Sequence, residues 1–106
     1  MHKIFHFTDE ALWNSDSLED YSHPSLETED FIHCSFHHQL EATLLKHFKG
    51  TGQVIIVEID KNKLTSELKI ENQFPHLYGK LNRDSVMNIH MVNFDGKKWD
   101  LSKIQP

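Results

Sequence analysis

The chain predicts an α+β domain, and three observations lead there. Val54-Ile55-Ile56-Val57 is an unbroken apolar run, the pattern of a strand covered on both faces. Lys3 to Phe7 and Ser85 to Asn93 alternate, the latter as Val86, Asn88, His90 and Val92 against Met87, Ile89 and Met91. Between them Leu40, Thr43, Leu44, Leu45, His47 and Phe48 fall near helical spacing.

Taken in order, Lys3 to Phe7 is the first strand. Thr8 then offers a hydroxyl cap to a short helix, with acids in its first turn, over Asp9-Glu10-Ala11-Leu12-Trp13. Asn14 to Asp30 is polar and reads as a long loop with a helical turn at Ser25 to Glu29; loops of that length are often functional. Asp30 to Ser35 is a second strand. A helix covers His37 to Phe48 and ends at Gly50-Thr51-Gly52. Gln53 to Asp60 is the buried strand, Asp60 to Asn62 a turn, and Leu64 to Glu71 a turn plus a short strand. Phe74 to Leu81 is irregular or extended, its start set by the Phe-Pro bond. Ser85 to Asn93 is a further strand, followed by an Asp95-Gly96 turn and a last edge strand carrying Trp99 and Leu101. The expected architecture is a compact single domain over residues 1–106, with a short-stranded split sheet and about two helices.

Composition narrows the function classes. At 106 residues there is room for one core. With 38% hydrophobic and 25% charged residues the chain has an ordinary globular balance. A formal net charge of -5 argues against general affinity for a nucleic-acid backbone. No apolar run approaches the roughly 20 residues that a membrane helix needs, and no signal-peptide core opens the chain. The single cysteine excludes an internal disulfide framework and fits a reducing cytoplasm. A small-molecule ligand is the expected partner, and the oligomeric state is left open.

The chemistry-bearing residues fall in a repeated pattern. His6 and Thr8, His33 and Ser35, and His76 and Tyr78 each place an imidazole and a hydroxyl two residues apart. In extended backbone such residues share a face, so three pairs predict the wall of a polar cleft. Phe31, His33 and Ser35 point one way from the second strand, while Ile32, Cys34 and Phe36 point to the core. Cys34 then reads as a buried small hydrophobe rather than a nucleophile. His2, His23, His47 and His90 read as solvated or capping residues. Glu71, just before Phe74-Pro75-His76, suits a general base or an anchor for a developing oxocarbenium ion. Glu58, inside the apolar strand, has equal structural appeal and needs a partner there. Gly79 predicts a backbone conformation that other residues avoid, for a sharp turn or a close approach to a ligand.

Two competing patterns are weaker. His33 and His37 are four apart, with His38 adjacent, but a strand-to-helix boundary falls between them and no second metal motif supports a site. Gly50-Thr51-Gly52 lacks the third glycine of a dinucleotide loop and precedes a strand instead of following one.

These residues resemble a small bacterial family known as domain of unknown function 952. The likeness runs from His6 through Trp13 and Ser25-Leu26 to Phe31-Ile32-His33-Cys34-Ser35. It continues through Gln39-Leu40, Val57-Glu58-Ile59-Asp60, Leu64, Glu71 and Phe74-Pro75-His76-Leu77-Tyr78-Gly79 to Val86. It covers about residues 3 to 92, with Asp30 where the family usually has glycine and Lys80 where it often has proline. That family looks like a compact member of the ADP-ribosyltransferase-like superfamily, whose split α+β fold clasps NAD. The resemblance implies that His6 holds the adenosine-side ribose. It further implies that Ser35 or Tyr78 supports the nicotinamide ribose and that Glu71 stabilises the oxocarbenium ion.

Three functions are therefore expected in competition. One is an NAD-using transferase or glycohydrolase, with Glu71 and His33 catalytic and His6, Thr8, Ser35, His76, Tyr78 and Gly79 binding the ligand. Another is a non-catalytic module for a nucleotide or other phosphorylated small molecule, keeping the same cleft. The third is a metal-dependent hydrolase built on the histidines. No cofactor is required by the residues, and NAD enters as a substrate.

Overall fold

The apolar run becomes the spine of the molecule. In a computed structural model describing residues 3–14, 20–48, 52–94 and 99–106, Gln53–Asp60 forms strand β3. Counting strands from the N-terminus, β1 (Lys3–Thr8) and β6 (Val86–Asn93) flank it, both antiparallel. Strand β2 (Ile32–His33), β5 (Phe74–Tyr78) and β4 (Glu67–Glu71) make a second antiparallel sheet in that order. The two sheets meet where Phe5 and Ser35 exchange main-chain hydrogen bonds of 2.8 and 2.7 Å.

The two faces of β3 bury different side chains, as a strand with no polar face requires. Ile55, Val57 and Ile59 join Ile4, Trp13, Tyr21, Ile32, Cys34, Leu77 and Leu81 in one cluster, closed by the second sheet. Val54 and Ile56 join Phe5, Phe7, Leu40, Leu44, Val92, Trp99 and Ile104 in the other. Leu40 and Leu44 reach it from α3 (Leu40–His47), the third helix in chain order, which a 3-10 turn at His37–Gln39 leads into. The molecule is thus α+β, as the sequence predicts.

Several local expectations change in the folded chain. Helix α1 spans Glu10–Asn14, and its N-terminus is capped by Asp9, whose Oδ1 accepts from Leu12 N–H at 2.7 Å. Thr8 does not cap it, because its hydroxyl is buried 2.9 Å from the Tyr21 hydroxyl. The second strand is cut to two paired residues, since Asp30 closes helix α2 (Ser25–Glu29) in the left-handed region, at φ 73°. An L residue is disfavoured there. Of the two readings for this segment, irregular or extended, Phe74–Tyr78 takes the extended one as a regular strand. It pairs with β4 across a two-residue hairpin at Asn72 and Gln73, with φ of 53° and 72° as such a turn demands. Trp99 makes a single bridge to Phe94 and no last strand forms among the described residues. The expected glycine stop at Gly50 and the turn at Asp95-Gly96 lie outside the described residues.

Strand β6 is the free edge of the first sheet. Met87, Ile89 and Met91 are about half exposed on one side of it, while Val92 packs inward on the other. No helix among the described residues is long and apolar enough to cross a membrane.

Candidate functional site

Where the second sheet leaves the first, a cleft of about 700 Å³ opens beside α3. Its walls come from five places: the end of β1, His23 and Glu29 at either end of the helix Ser25–Glu29, the segment Phe31 to Ser35, the last turns of α3, and the β4–β5 hairpin. His33 and His76 face each other directly, because β2 and β5 pair them in register. Their ring centroids are 5.7 Å apart, edge to face. Phe31 lies flat against His76, with centroids 3.9 Å apart and planes 13° from parallel, and presents an edge contact to His33 at 4.7 Å.

Each of these imidazoles is held by its own carboxylate. His33 Nε2 lies 2.8 Å from Glu29 Oε2, at the end of α2. His76 Nδ1 lies 2.9 Å from Glu71 Oε1, and the Tyr78 hydroxyl donates to that same oxygen. The Tyr78 hydrogen bond, and then His76, hold the Glu71 carboxyl below the usual carboxylate range. In return Glu71 pushes the Tyr78 hydroxyl up to about 12, so Tyr78 acts as a donor at neutral pH.

His6 lies deeper than its sequence pattern suggests. It is buried, and both ring nitrogens have partners: Nδ1 donates to the His33 carbonyl at 2.7 Å, and Nε2 lies 2.9 Å from the Tyr21 hydroxyl. Burial dominates its electrostatics and lowers its pKa to about 3, so the ring is neutral. A carbonyl only accepts, which places the single ring proton on Nδ1. Nε2 then accepts from Tyr21, and the Thr8 hydroxyl donates to the phenolic oxygen. Tyr21, raised to about 12 by burial first, keeps its proton throughout this chain.

The expected site residues thus divide. His6, His33, Ser35 and His76 line the cleft. Thr8 lies behind it in the His6–Tyr21 chain, and Glu71 and Tyr78 stand at its margin, reaching it through His76. Ser35 is buried with its hydroxyl 3.4 Å from Thr43 Oγ1. Gly79, at φ 153°, packs on Ser66, whose Oγ lies 2.5 Å from where a Cβ would be; its close approach is to protein. Glu58 does not line the cleft. Burial pushes its carboxyl up, but hydrogen bonds from His90, Asn88 and Lys3 outweigh that and the net shift is downward. Cys34 is buried and its thiol is raised to about 12.

Other lining residues escaped the sequence pattern. His23, expected to be solvated or capping, binds the first amide of α2 and is partly buried in the cleft wall. Its Nδ1 accepts from the Ser25 main-chain N–H at 3.1 Å, and its ring lies 5.2 Å from His6. The neutral ring therefore carries its proton on Nε2. Burial, and then the nearby His33, lower its pKa. Lys46 and His47 enter from the last turn of α3, and Asn72 and Phe74 from the hairpin. Nothing in the local pattern of Lys46 and His47 marks them, since only the tertiary contact of α3 with the Phe31 to Ser35 segment, seen at Thr43 and Ser35, brings them there. His37 turns away instead: its Nε2 donates to the Ile104 carbonyl at 2.9 Å, so it does not join His33. Among the described residues no three His, Cys, Asp or Glu side chains are disposed to hold a metal ion.

Together the fold and cleft define a small α+β protein with a histidine-lined, ligand-sized depression between two antiparallel sheets. The chain belongs to the family described as protein of unknown function (DUF952), whose sequence pattern matches residues 7–89. Its fold is similar to that of the crystal structure of protein CC0527 from Caulobacter crescentus. That match has a TM-score of 0.81 and 22% identity over 93% of this chain and 94% of that one. The solution structure of CC0527 matches with a TM-score of 0.79 and 24% identity, over 95% and 94% of the two chains. No curated protein matches the chain.

Proposed function

We propose that the cleft binds a nucleotide of the NAD or ADP-ribose type and supports cleavage of its N-glycosidic bond, as in an ADP-ribosyltransferase or glycohydrolase. The observation that carries this is the makeup of the lining: Lys46 with His33, His47 and His76, and behind them His6 and His23 kept from charging by burial, against one carboxylate, Glu29, in a chain of net charge -5. Such a surface favours phosphates, and Phe31, Phe48 and Phe74 offer rings against which a base can stack. The volume of about 700 Å³ falls within the about 300–1,000 Å³ of ligand pockets. In the reaction the glycosidic C–N bond breaks and nicotinamide leaves with the electron pair. The ionised Glu71 carboxylate stabilises the oxocarbenium ion until water or an acceptor hydroxyl adds to it.

A second reading, a non-catalytic nucleotide-binding module, is favoured by one specific feature. Glu71 is engaged by both Tyr78 and His76 and stands at the cleft margin rather than in its lining. Ligand-observed NMR with NAD, ADP-ribose and nicotinamide, followed over hours, separates the two. Binding with growth of free nicotinamide, abolished in Glu71→Gln, supports the enzyme. Binding without turnover supports the module, and absence of binding rules out both.

A further inference from the structure

We propose that His33 and His76 form an acid–base couple that hydrolyses a ribonucleoside 2′,3′-cyclic phosphate to a phosphomonoester. This rests on nucleotide occupancy of the cleft described above, but not on NAD as the nucleotide.

The couple is built in duplicate from unrelated elements. Two imidazoles stand opposite each other on paired strands, 5.7 Å between centroids. Each is oriented by a carboxylate: Glu29 from α2 holds Nε2 of His33, and Glu71 from β4 holds Nδ1 of His76. Nδ1 of His33 and Nε2 of His76 have no hydrogen-bond partner among the described residues. Phe31 packs against both rings and fixes their planes.

Displacement at phosphorus needs a base on one side and an acid on the other. Imidazole serves in either role because its ordinary titration lies near neutrality. One ring takes a proton from water as the water oxygen bonds to phosphorus. The opposite bond from phosphorus to a ribose oxygen breaks, and the second ring protonates that oxygen. Atoms and charge balance with water as the only co-reactant. Lys46, lining the same cleft, supplies a cation for the phosphate oxygens. The net charge of -5 disfavours a long RNA backbone and points to a single nucleotide. Glu29 and Glu71 act here as positioning residues.

The test is phosphorus NMR of the purified full chain with the four 2′,3′-cyclic nucleoside monophosphates, in EDTA so that contaminating metal phosphoesterases are silent. Expected is slow conversion to a monoester. His33→Asn and His76→Asn should each lose about 100-fold or more. Glu29→Gln should lower kcat while leaving KM nearly unchanged, which a merely structural role would not do. If His76→Asn fails to give a native amide spectrum, the surface variants His33→Asn and Glu29→Gln decide alone. No conversion by the wild type, or conversion at an unchanged rate in His33→Asn, overturns the proposal. Titrating the same samples with NAD keeps the two inferences apart. NAD binding without cyclic-phosphate turnover overturns the couple only, and turnover without NAD affinity supports the couple and overturns the NAD reading.

Discussion

The His6 ring donates to the main-chain carbonyl of His33 at 2.7 Å, so a buried histidine of β1 sets the backbone of an exposed histidine in the cleft. Behind it Tyr21 and Thr8 complete a buried chain of hydrogen bonds. A chain of this kind is costly to leave half made, because each orphaned group keeps its full desolvation penalty.

Removing one member should therefore destabilise the fold. His6→Ala is expected to cost about 2–4 kcal/mol and Tyr21→Phe about 1–2 kcal/mol in urea unfolding. Equal stability of Tyr21→Phe and wild type would show that the Tyr21 hydroxyl is not part of a closed network.

Acid should destabilise the protein through the same residue. The folded His6 pKa, about 3, lies below the unfolded value of 6.5, so between them the unfolded chain binds a proton that the folded chain refuses. Stability is then complete above about 6.5 and falls as pH drops toward 3, by up to roughly 1.4 kcal/mol per pH step from this group. Glu58 and Glu71, both lowered, act in the same direction, present above the unfolded carboxylate value and lost below it. Urea midpoints measured from pH 7 down to about 4 should slope less steeply in His6→Gln than in wild type.

Phe31 should matter for binding more than for folding, since it is partly exposed and packs on His33, His76 and Tyr78. Phe31→Ala is expected to weaken nucleotide binding about tenfold, roughly 1.4 kcal/mol, by calorimetric titration. Unchanged affinity would place the base elsewhere in the cleft.

Cys34 should be silent in the native protein. With the thiol buried and raised to about 12, a disulfide reagent should modify it only at the rate of unfolding. Rapid stoichiometric labelling without denaturant would contradict its place in the core.

Two backbone positions should respond with opposite signs. Gly79→Ala must clear the Ser66 hydroxyl, 2.5 Å from the new Cβ, in a conformation that L residues avoid, and should cost about 2–3 kcal/mol. Asp30→Gly relieves a left-handed residue at the end of α2 and should add about 0.5 kcal/mol. Thermal melts of both variants check the pair of signs.

Local sequence determined the elements and the faces of their side chains. The apolar run of β3, the alternation of β6 and the burial of Ile32 beside an exposed His33 all follow from the two-residue repeat of extended chain, and the structure shows each, although Cys34, buried too, borders the same cleft as His33. The turn at Asn72 and Gln73 was harder to read, because glutamine gives no signal for its positive φ. The candidate site was legible only in part. Spacing put His33 beside Ser35 and His76 beside Tyr78, yet it could not tell that Ser35 is buried against Thr43 while His33 is exposed. Nor could it tell that His6 and Tyr21, fifteen positions apart, share a hydrogen bond. Periodicity is a local property of backbone sterics, so it names a face without naming what packs against it. The meeting of β2 with β5, the seating of Lys46 and His47 beside them, and the carboxylate that holds each cleft histidine were decided by long-range pairing and burial alone.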